Sequence, residues 1–447
     1  MTTAGNRKQG KRHAETGITG DHHPDYDVVI IGGGPVGMAL ALALRDSDTS
    51  VLLLEARGLP AKTEDSRPLA LSHGSRLILQ RLGVWKALPD ITPITTIHIS
   101  NRGGFGRAEL NAAEIGVPAL GYVMNHHDVF RAMHEALQNC DVDYLTGAQV
   151  TRLETGADQG QIEFQHDRVA KKASARLLVL ADGGRLAAQI EGVTQYVHDY
   201  EQWAVVARVR TERFTYAAIT SPAKPMLTPV RGLTTRGTRK MDSDAKSTVR
   251  AQRGHPGVAY ERFTPEGPVA LLPSGKYFSL VWTTSPSAAE EILALDDRAF
   301  LARLHSHFGD RLGKFTEAGR RSGFPLSLKY AAPVTSHRAV LVGNAAQTLH
   351  PVAGQGFNLG LRDAWELAEE VVDSPADIGS PAMLARYRDK RRLDSGGGRL
   401  FTDSLVKLFS NDDLVLDSVR SMGLGALDCL PPLKRFVARR MMFGARG

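Results

Sequence analysis

The stretch that most constrains this chain is "YDVVIIGGGPVGMALALALRDSDTSVLLLEAR", from Tyr26 to Arg57. It begins with a β-branched apolar run and ends with a second one closing on Glu55. Between them lie an Ala/Leu-rich helical run and three glycines in the G-x-G-x-x-G spacing, Gly32, Gly34 and Gly37. The pattern predicts strand, tight turn, helix, strand. Gly32 permits the turn, Gly34 lets the backbone approach a pyrophosphate, and Gly37 lets helix and strand pack closely. The helix N-terminus then faces the phosphates with its positive end. Glu55 follows Gly37 by eighteen residues, where a carboxylate can accept ribose hydroxyls. The unit predicts a dinucleotide site on a parallel sheet covered by helices. At this point a nicotinamide and a flavin dinucleotide both remain open.

The 447 residues allow two or three domains. No run approaches eighteen consecutive apolar residues, so no membrane-spanning helix is expected. Residues 1–25 have no apolar segment of the signal-peptide type and read as a disordered tail. The two cysteines, Cys140 and Cys429, are far apart, which fits a reducing, cytoplasmic setting and excludes a disulfide scaffold. The fifteen histidines are scattered without ligand spacing, so no metal site is expected. A formal charge of +7 calls for an anionic partner. No aromatic-interleaved basic motif accompanies it, so an anionic cofactor or membrane face is expected rather than nucleic acid.

The remaining pattern predicts an α/β protein. A Rossmann-type nucleotide domain covers 26–200, with 94–125 contributing to a second, mostly antiparallel domain over 201–330. Residues 217–256 are basic with little apolar periodicity and read as an insertion. The nucleotide domain returns over 331–410, and 411–447 form a helical, basic C-terminus. A helix is expected from Ser287 to Phe308.

The second Gly-rich segment, "LVGNAAQTLHPVAGQGFNLGLRDA", runs from Leu341 to Ala364. It leads from a strand through Gly343 and Asn344, the latter able to bond a polyol. It then passes Gly354 and Gly356 into a helix whose apolar stripe is Phe357, Leu361, Trp365, Ala368 and Val372. A helix N-terminus there would stabilise the negative charge of a reduced flavin. Paired with the first fingerprint, this favours FAD over a nicotinamide as the resident cofactor.

These motifs, with "DSRPLALSHGSRLILQRLGVW", "ERFTPEGPVALLP" and "TDSLVKLFSN", resemble the single-component FAD-dependent aromatic hydroxylases of the p-hydroxybenzoate hydroxylase fold. The likeness points to their ubiquinone-biosynthesis branch and covers about Asp27 to Asn411 apart from the insertion. Most of the family carries Asp-Ala-Ala-His where this chain has Asn344, Ala345, Ala346 and Gln347, which sharpens the assignment to that branch. The resemblance implies that Gly32, Gly34, Gly37 and Glu55 hold the ADP half of FAD. Arg67 would reach the pyrophosphate or flavin, and Val150 the adenine by its backbone. Asp182 and Gly183 would serve FAD and NAD(P)H. Gly343, Asn344, Pro351, Gly354, Gln355, Gly356 and Asn358 would surround the ribityl chain and ring. Leu186 and Gln189 stand where the family carries Ser and Arg, which leaves NAD(P)H docking open. His350, beside Pro351, is either a catalytic base or a structural histidine.

The implied reaction takes NAD(P)H and O2 and hydroxylates a prenylated methoxyphenol through a flavin C4a-hydroperoxide. Rival readings are a same-fold prenyl reductase or halogenase, or a flavin-binding scaffold without catalysis. At the C-terminus, Leu433, Phe436, Val437 and Met441 share a helical face, with Lys434, Arg435, Arg439 and Arg440 beside them. This helix either lies in an anionic membrane interface, contacts a ubiquinone-biosynthesis complex, or packs on the body.

Overall fold

The computed structural model describes residues 23–58, 68–102, 104, 106–212, 257–348, 355–409 and 414–444. The insertion at 217–256, nearly all of the N-terminal tail, and Arg67, His350, Pro351 and Gly354 lie outside them. Asp25 is already ordered, its Oδ2 accepting from the Ser174 amide and hydroxyl at 2.8 Å.

The nucleotide-domain sheet runs in the order β18 (Thr335–Ser336), β19 (Ala339–Leu341), β11 (Val169–Leu180), β1 (Tyr26–Ile31), β2 (Val51–Glu55), β8 (Asp143–Thr146). Strands β19, β11, β1, β2 and β8 are mutually parallel, with β1 in the middle. Parallel strands need both faces covered, and both are. On one face lie α1 (Pro35–Leu44), α4 (His126–Leu137) and α7 (Gln355–Asp373), which bury Met38, Met133 and Leu361 against Ile30 and Leu53. On the other lie β9 (Gln149–Thr155) and β10 (Gly160–His166), whose Leu153, Ile162 and Phe164 pack on Val29 and Leu178. This double cover explains why Val28, Val29 and Ile30 are completely buried.

The second sheet has the order β20 (Gln347–Thr348), β17 (Ser322–Ala332), β12 (Thr194–Thr211), β15 (Tyr277–Thr284), β14 (Val269–Ser274), β13 (Val258–Phe263), β5 (Thr96–Asn101), β6 (Arg107–Asn111), with β16 (Phe315–Ala318) beside β12. All its pairings are antiparallel except β13 with β5. Its outer face buries Val205, Leu271 and Trp282 under α5 (Pro286–Ala294) and α6 (Asp297–Phe308). The single helix expected from Ser287 to Phe308 is therefore two. Leu295 is extended and Asp296 starts a new helix, its carboxylate accepting from the Ala299 amide at 2.7 Å.

A three-stranded sheet, β3 (Pro68–Ser72), β7 (Gly121–Asn125), β4 (Thr92–Ile94), joins the two domains. Next to it are α2 (His73–Arg81) and α3 (Ala112–Ile115). The C-terminal part is helical: α8 (Pro381–Phe409), α9 (Leu414–Cys429) and α10 (Pro431–Phe443). Helix α9 packs on β5 and β6, and α10 on α2 and α3. Among the described residues, no helix is long and apolar enough to cross a membrane.

Candidate functional site

The site is built from three chain segments that meet at the C-terminal ends of β1, β11 and β19, and a fourth that borders the third. The first is the turn from β1 to α1. Gly32 has φ +115°, and a Cβ there would lie 2.5 Å from the Ala181 carbonyl oxygen. A Cβ on Gly37 would lie 2.0 Å from the Gly32 oxygen, so helix and turn touch backbone to backbone. Gly34 is different: among the described residues nothing stands within 4 Å of its Cβ position. It caps α1 without a side-chain bond, Pro35 follows, and no acidic residue lies in the first turn. The leading amides of α1 therefore face open space, an arrangement that suits a phosphate.

Glu55 is buried at the end of β2. Its Oε2 accepts from the Gly33 amide at 2.9 Å, and its Oε1 from the Arg57 amide and Nε, both at 3.0 Å. Tyr144 stands against the same turn, its hydroxyl buried and without a hydrogen-bond partner among the described residues. Burial first, and the Glu55 carboxylate second, push the Tyr144 phenol up to about 12. Tyr144 had no sequence signal of its own, because β8 reaches the turn only through the parallel pairing. Val150 on β9 sends its side chain into the apolar layer, which leaves its backbone as the part available to a base.

The second segment follows β11. Asp182 accepts from the amides of Gly184 and Leu186, both at 2.9 Å, so its carboxylate shapes its own turn. Gly183 has φ +76° and open space at its Cβ position. Gln189 holds β9, accepting from the Leu153 amide at 2.9 Å and donating to the Thr151 carbonyl at 3.3 Å.

The third segment leads from β19 to α7. The Gly343 amide donates to Asp363 Oδ2 at 3.0 Å, across a turn with φ +58°. Asp363 Oδ1 receives Arg391 Nε at 2.7 Å, and Arg391 Nη1 reaches Asp394 at 2.7 Å and Glu366 at 3.2 Å. Arg362 Nε donates to the same Asp394 at 2.8 Å. Burial alone would raise the Asp394 carboxyl, but Arg362 and Arg391 hold it below the usual range. Asn344 is exposed, while Gln347 is buried with its Nε2 unpartnered among the described residues. Gln355 opens α7, and nothing stands within 4 Å of the Gly356 Cβ position. The Asn358 amide bridges to β3: Oδ1 accepts from the Ser72 amide at 2.8 Å, and Nδ2 donates to the Ala70 carbonyl at 3.0 Å.

The fourth segment is α10, which the sequence did not place here. A small apolar cleft of about 70 Å³, half open to solvent, lies beside Gln355 and Asn358. Its walls include Leu71, Ile97, Leu110 and, from α10, Met441 and Met442. The Ser72 hydroxyl donates to the Met442 carbonyl at 2.9 Å and anchors that wall. The apolar face expected on α10 is thus divided. Met441 turns to the cavity, whereas Leu433 is 39% and Phe436 66% exposed. Lys434 is buried and paired with Asp428 at 3.2 Å and Glu114 at 3.6 Å, so the charge beside it is partly balanced.

Open glycines at two helix starts, an uncapped α1, and buried polar atoms without partners at Tyr144 and Gln347 fit an extended dinucleotide carrying a ring system. Fold and site together define a flavin-binding oxidoreductase. The profile of the FAD binding domain family matches residues 25–235 and 222–395, and the chain belongs to that family of FAD-dependent monooxygenases. Within it the chain falls in the ubiquinone-biosynthesis branch of the FAD aromatic hydroxylases. It is 33% identical to the ubiquinone hydroxylase UbiL of Rhodospirillum rubrum over 435 residues, covering 95% of this chain and 91% of that protein. It is 27% identical to the 3-demethoxyubiquinol 3-hydroxylase of Escherichia coli, covering 92% and 96%. Its fold is that of p-nitrophenol 4-monooxygenase PnpA from Pseudomonas putida DLL-E4, with a TM-score of 0.67, 16% identity, and 94% and 99% coverage.

Proposed function

We propose that this enzyme hydroxylates a prenylated, methoxylated phenol on the way to ubiquinone, using NAD(P)H and O2. The apolar cleft beside the α7 N-terminus carries the reading, because its Leu, Ile and Met lining next to the flavin segment suits the edge of a hydrophobic ring. Relatives named as ubiquinone hydroxylases support the substrate class. FAD, when bound, supplies electron transfer from NAD(P)H and activation of O2. Gly32, Gly34, Gly37, Glu55 and Tyr144 would hold its ADP half. Gly343, Asn344, Gln347, Gln355 and Gly356 would lie along its ribityl chain and ring. Arg67, Pro351 and Gly354 complete the set by resemblance. Ile97, Leu110, Met441 and Met442 keep water from the reacting ring.

The outer side of α9 and α10 exposes Met422 (68%), Leu430 (52%) and Phe436 (66%), with Arg435 and Arg439 also exposed. This face suits peripheral attachment to an anionic membrane, where a prenylated substrate resides. The test of function is incubation with NAD(P)H, O2 and a geranylated methoxyphenol. The expected result is phenol-stimulated NAD(P)H oxidation and a product heavier by one oxygen atom. Absence of both would end the reading.

A further inference from the structure

The inner face of the second sheet, opposite α5 and α6, is incompletely covered. Its central row can be followed by register: Val206 opposite Val281, Val281 opposite Ala270, Ala270 opposite Glu261, and Glu261 opposite Ile99. All five keep part of their surface accessible. Adjacent residues that point the other way, Val205, Trp282 and Val269, are completely buried. Side chains alternate across a strand, so Glu261 lies on the side of Ala259, Ile97 and Ile99. Ile97 and its register partner Leu110 line the cavity with Gln355, and Ile99 packs in one apolar cluster with Met441 and Met442. Glu261 is thus one strand from the cleft wall, on the sheet face that carries Ile97.

It is the single carboxylate in a row of Val, Ala and Ile. Among the described residues no charged or hydrogen-bonding side chain contributes to the state of Glu261. The neighbouring inward positions, Ile97 and Ile99 on β5 and Ala270 and Leu272 on β14, carry no ionisable group. Tyr260 turns to the outer face, packing with Phe278 and Phe308, and Arg262 alternates with Glu261 to that side. A carboxylate set in apolar surroundings without a partner is costly unless a ligand uses it. Although part of Glu261 is accessible, the dense apolar packing around it desolvates the carboxylate and pushes its carboxyl up to about 7, a range suited to accepting a proton near neutrality.

We propose that Glu261 is the residue that receives the phenolic hydroxyl of the substrate and takes its proton as the ring is attacked. This rests on the hydroxylase reading above. One proton moves: the phenol O–H bond breaks and the Glu261 O–H bond forms. The reverse transfer restores both groups once the product is made.

Two measurements test it on the full-length holoenzyme. In wild type, kcat/KM for a geranylated methoxyphenol should fall about tenfold per pH unit below about 7. Glu261→Gln should remove that limb and lower hydroxylation by about 10²- to 10⁴-fold, with FAD content and melting temperature retained. In binding, the phenol should exceed its methyl ether in affinity by about 10- to 100-fold at pH 8, and Glu261→Leu should erase the difference. A Glu261→Gln enzyme within twofold of wild type, or an undiminished hydroxyl preference in Glu261→Leu, overturns the assignment. If wild type hydroxylates no phenol, the hydroxylase reading falls, and the binding comparison still decides the role of Glu261.

Discussion

Asp363 accepts the Gly343 amide at 3.0 Å and thereby ties helix α7 to the turn that follows β19. The same carboxylate neutralises Arg391, which is only 2% exposed. The link therefore does two things: it fixes a turn with positive φ beside the flavin segment, and it compensates a buried guanidinium. Asp363→Ala leaves Arg391 short of one partner and the Gly343 amide without its acceptor. Breaking a buried pair by removing one partner costs about 3–5 kcal/mol. Urea denaturation should show a loss of that order, accompanied by lower FAD retention. A variant with unchanged midpoint and full FAD content would remove Asp363 from this role.

The three glycines of the first turn differ in what they tolerate. Gly34→Val meets no atom of the described residues at its Cβ, so the chain should fold while the side chain fills the pyrophosphate path. Gly37→Ala puts a Cβ 2.0 Å from the Gly32 oxygen, so it should lower the melting temperature as well as FAD content. Flavin absorbance and thermal unfolding measured on both variants separate the two effects. A folded Gly34→Val protein with stoichiometric FAD would contradict the placement of the pyrophosphate.

His307 makes stability depend on pH. It is buried between Arg102, whose Nη1 lies 3.2 Å from Nδ1, and Thr264, whose Oγ1 lies 3.0 Å from Nε2. Burial first, then Arg102, Arg303 and Arg262, lower it from 6.5 to about 4. Arg102 donates to Nδ1 of a neutral ring, and Nε2–H then donates to Thr264. Between those two pH values the unfolded chain binds a proton that the folded protein refuses, so stability falls as the solution is acidified. The full effect is about 3 kcal/mol and is complete near pH 4. His307→Gln should flatten the urea midpoint between pH 6.5 and 4. An unaltered slope would place the acid sensitivity elsewhere.

What was legible in the sequence was mostly local. The β1–α1–β2 unit is written in contiguous periodicity and glycine spacing, and so is the Gly-rich entry to α7. The break at Asp296 is hidden in the sequence because Leu295 continues the helical apolar pattern, while in space Leu295 is extended and Asp296 caps the start of a second helix. The bond from Asn358 to Ser72 spans 286 residues of chain, so no local pattern could reveal it. The Met442 carbonyl meets Ser72 across 370 residues, so no spacing rule could bring α10 to the cavity. The alternation around Glu261 was readable, but its inward direction depends on which sheet face α5 and α6 cover.

The division of α10 alters how its membrane contact should be tested. Removing residues 431–447 would also remove Met441 and Met442 from the cavity wall and the Met442 carbonyl from Ser72. A truncation therefore mixes surface and pocket effects. Phe436, 66% exposed, and Arg435 and Arg439, also exposed, belong to the outer side and can be changed alone. A basic residue near an anionic bilayer contributes about 1 kcal/mol, so reversing both arginines should weaken attachment by more than tenfold at low salt. Phe436→Glu should add a loss that persists at high salt, because it removes inserted apolar area instead of a screened charge. Cosedimentation with phosphatidylglycerol-containing vesicles measures both, with FAD content as the control for folding. If the triple variant still sediments like wild type, α10 is a cavity wall and not a membrane anchor.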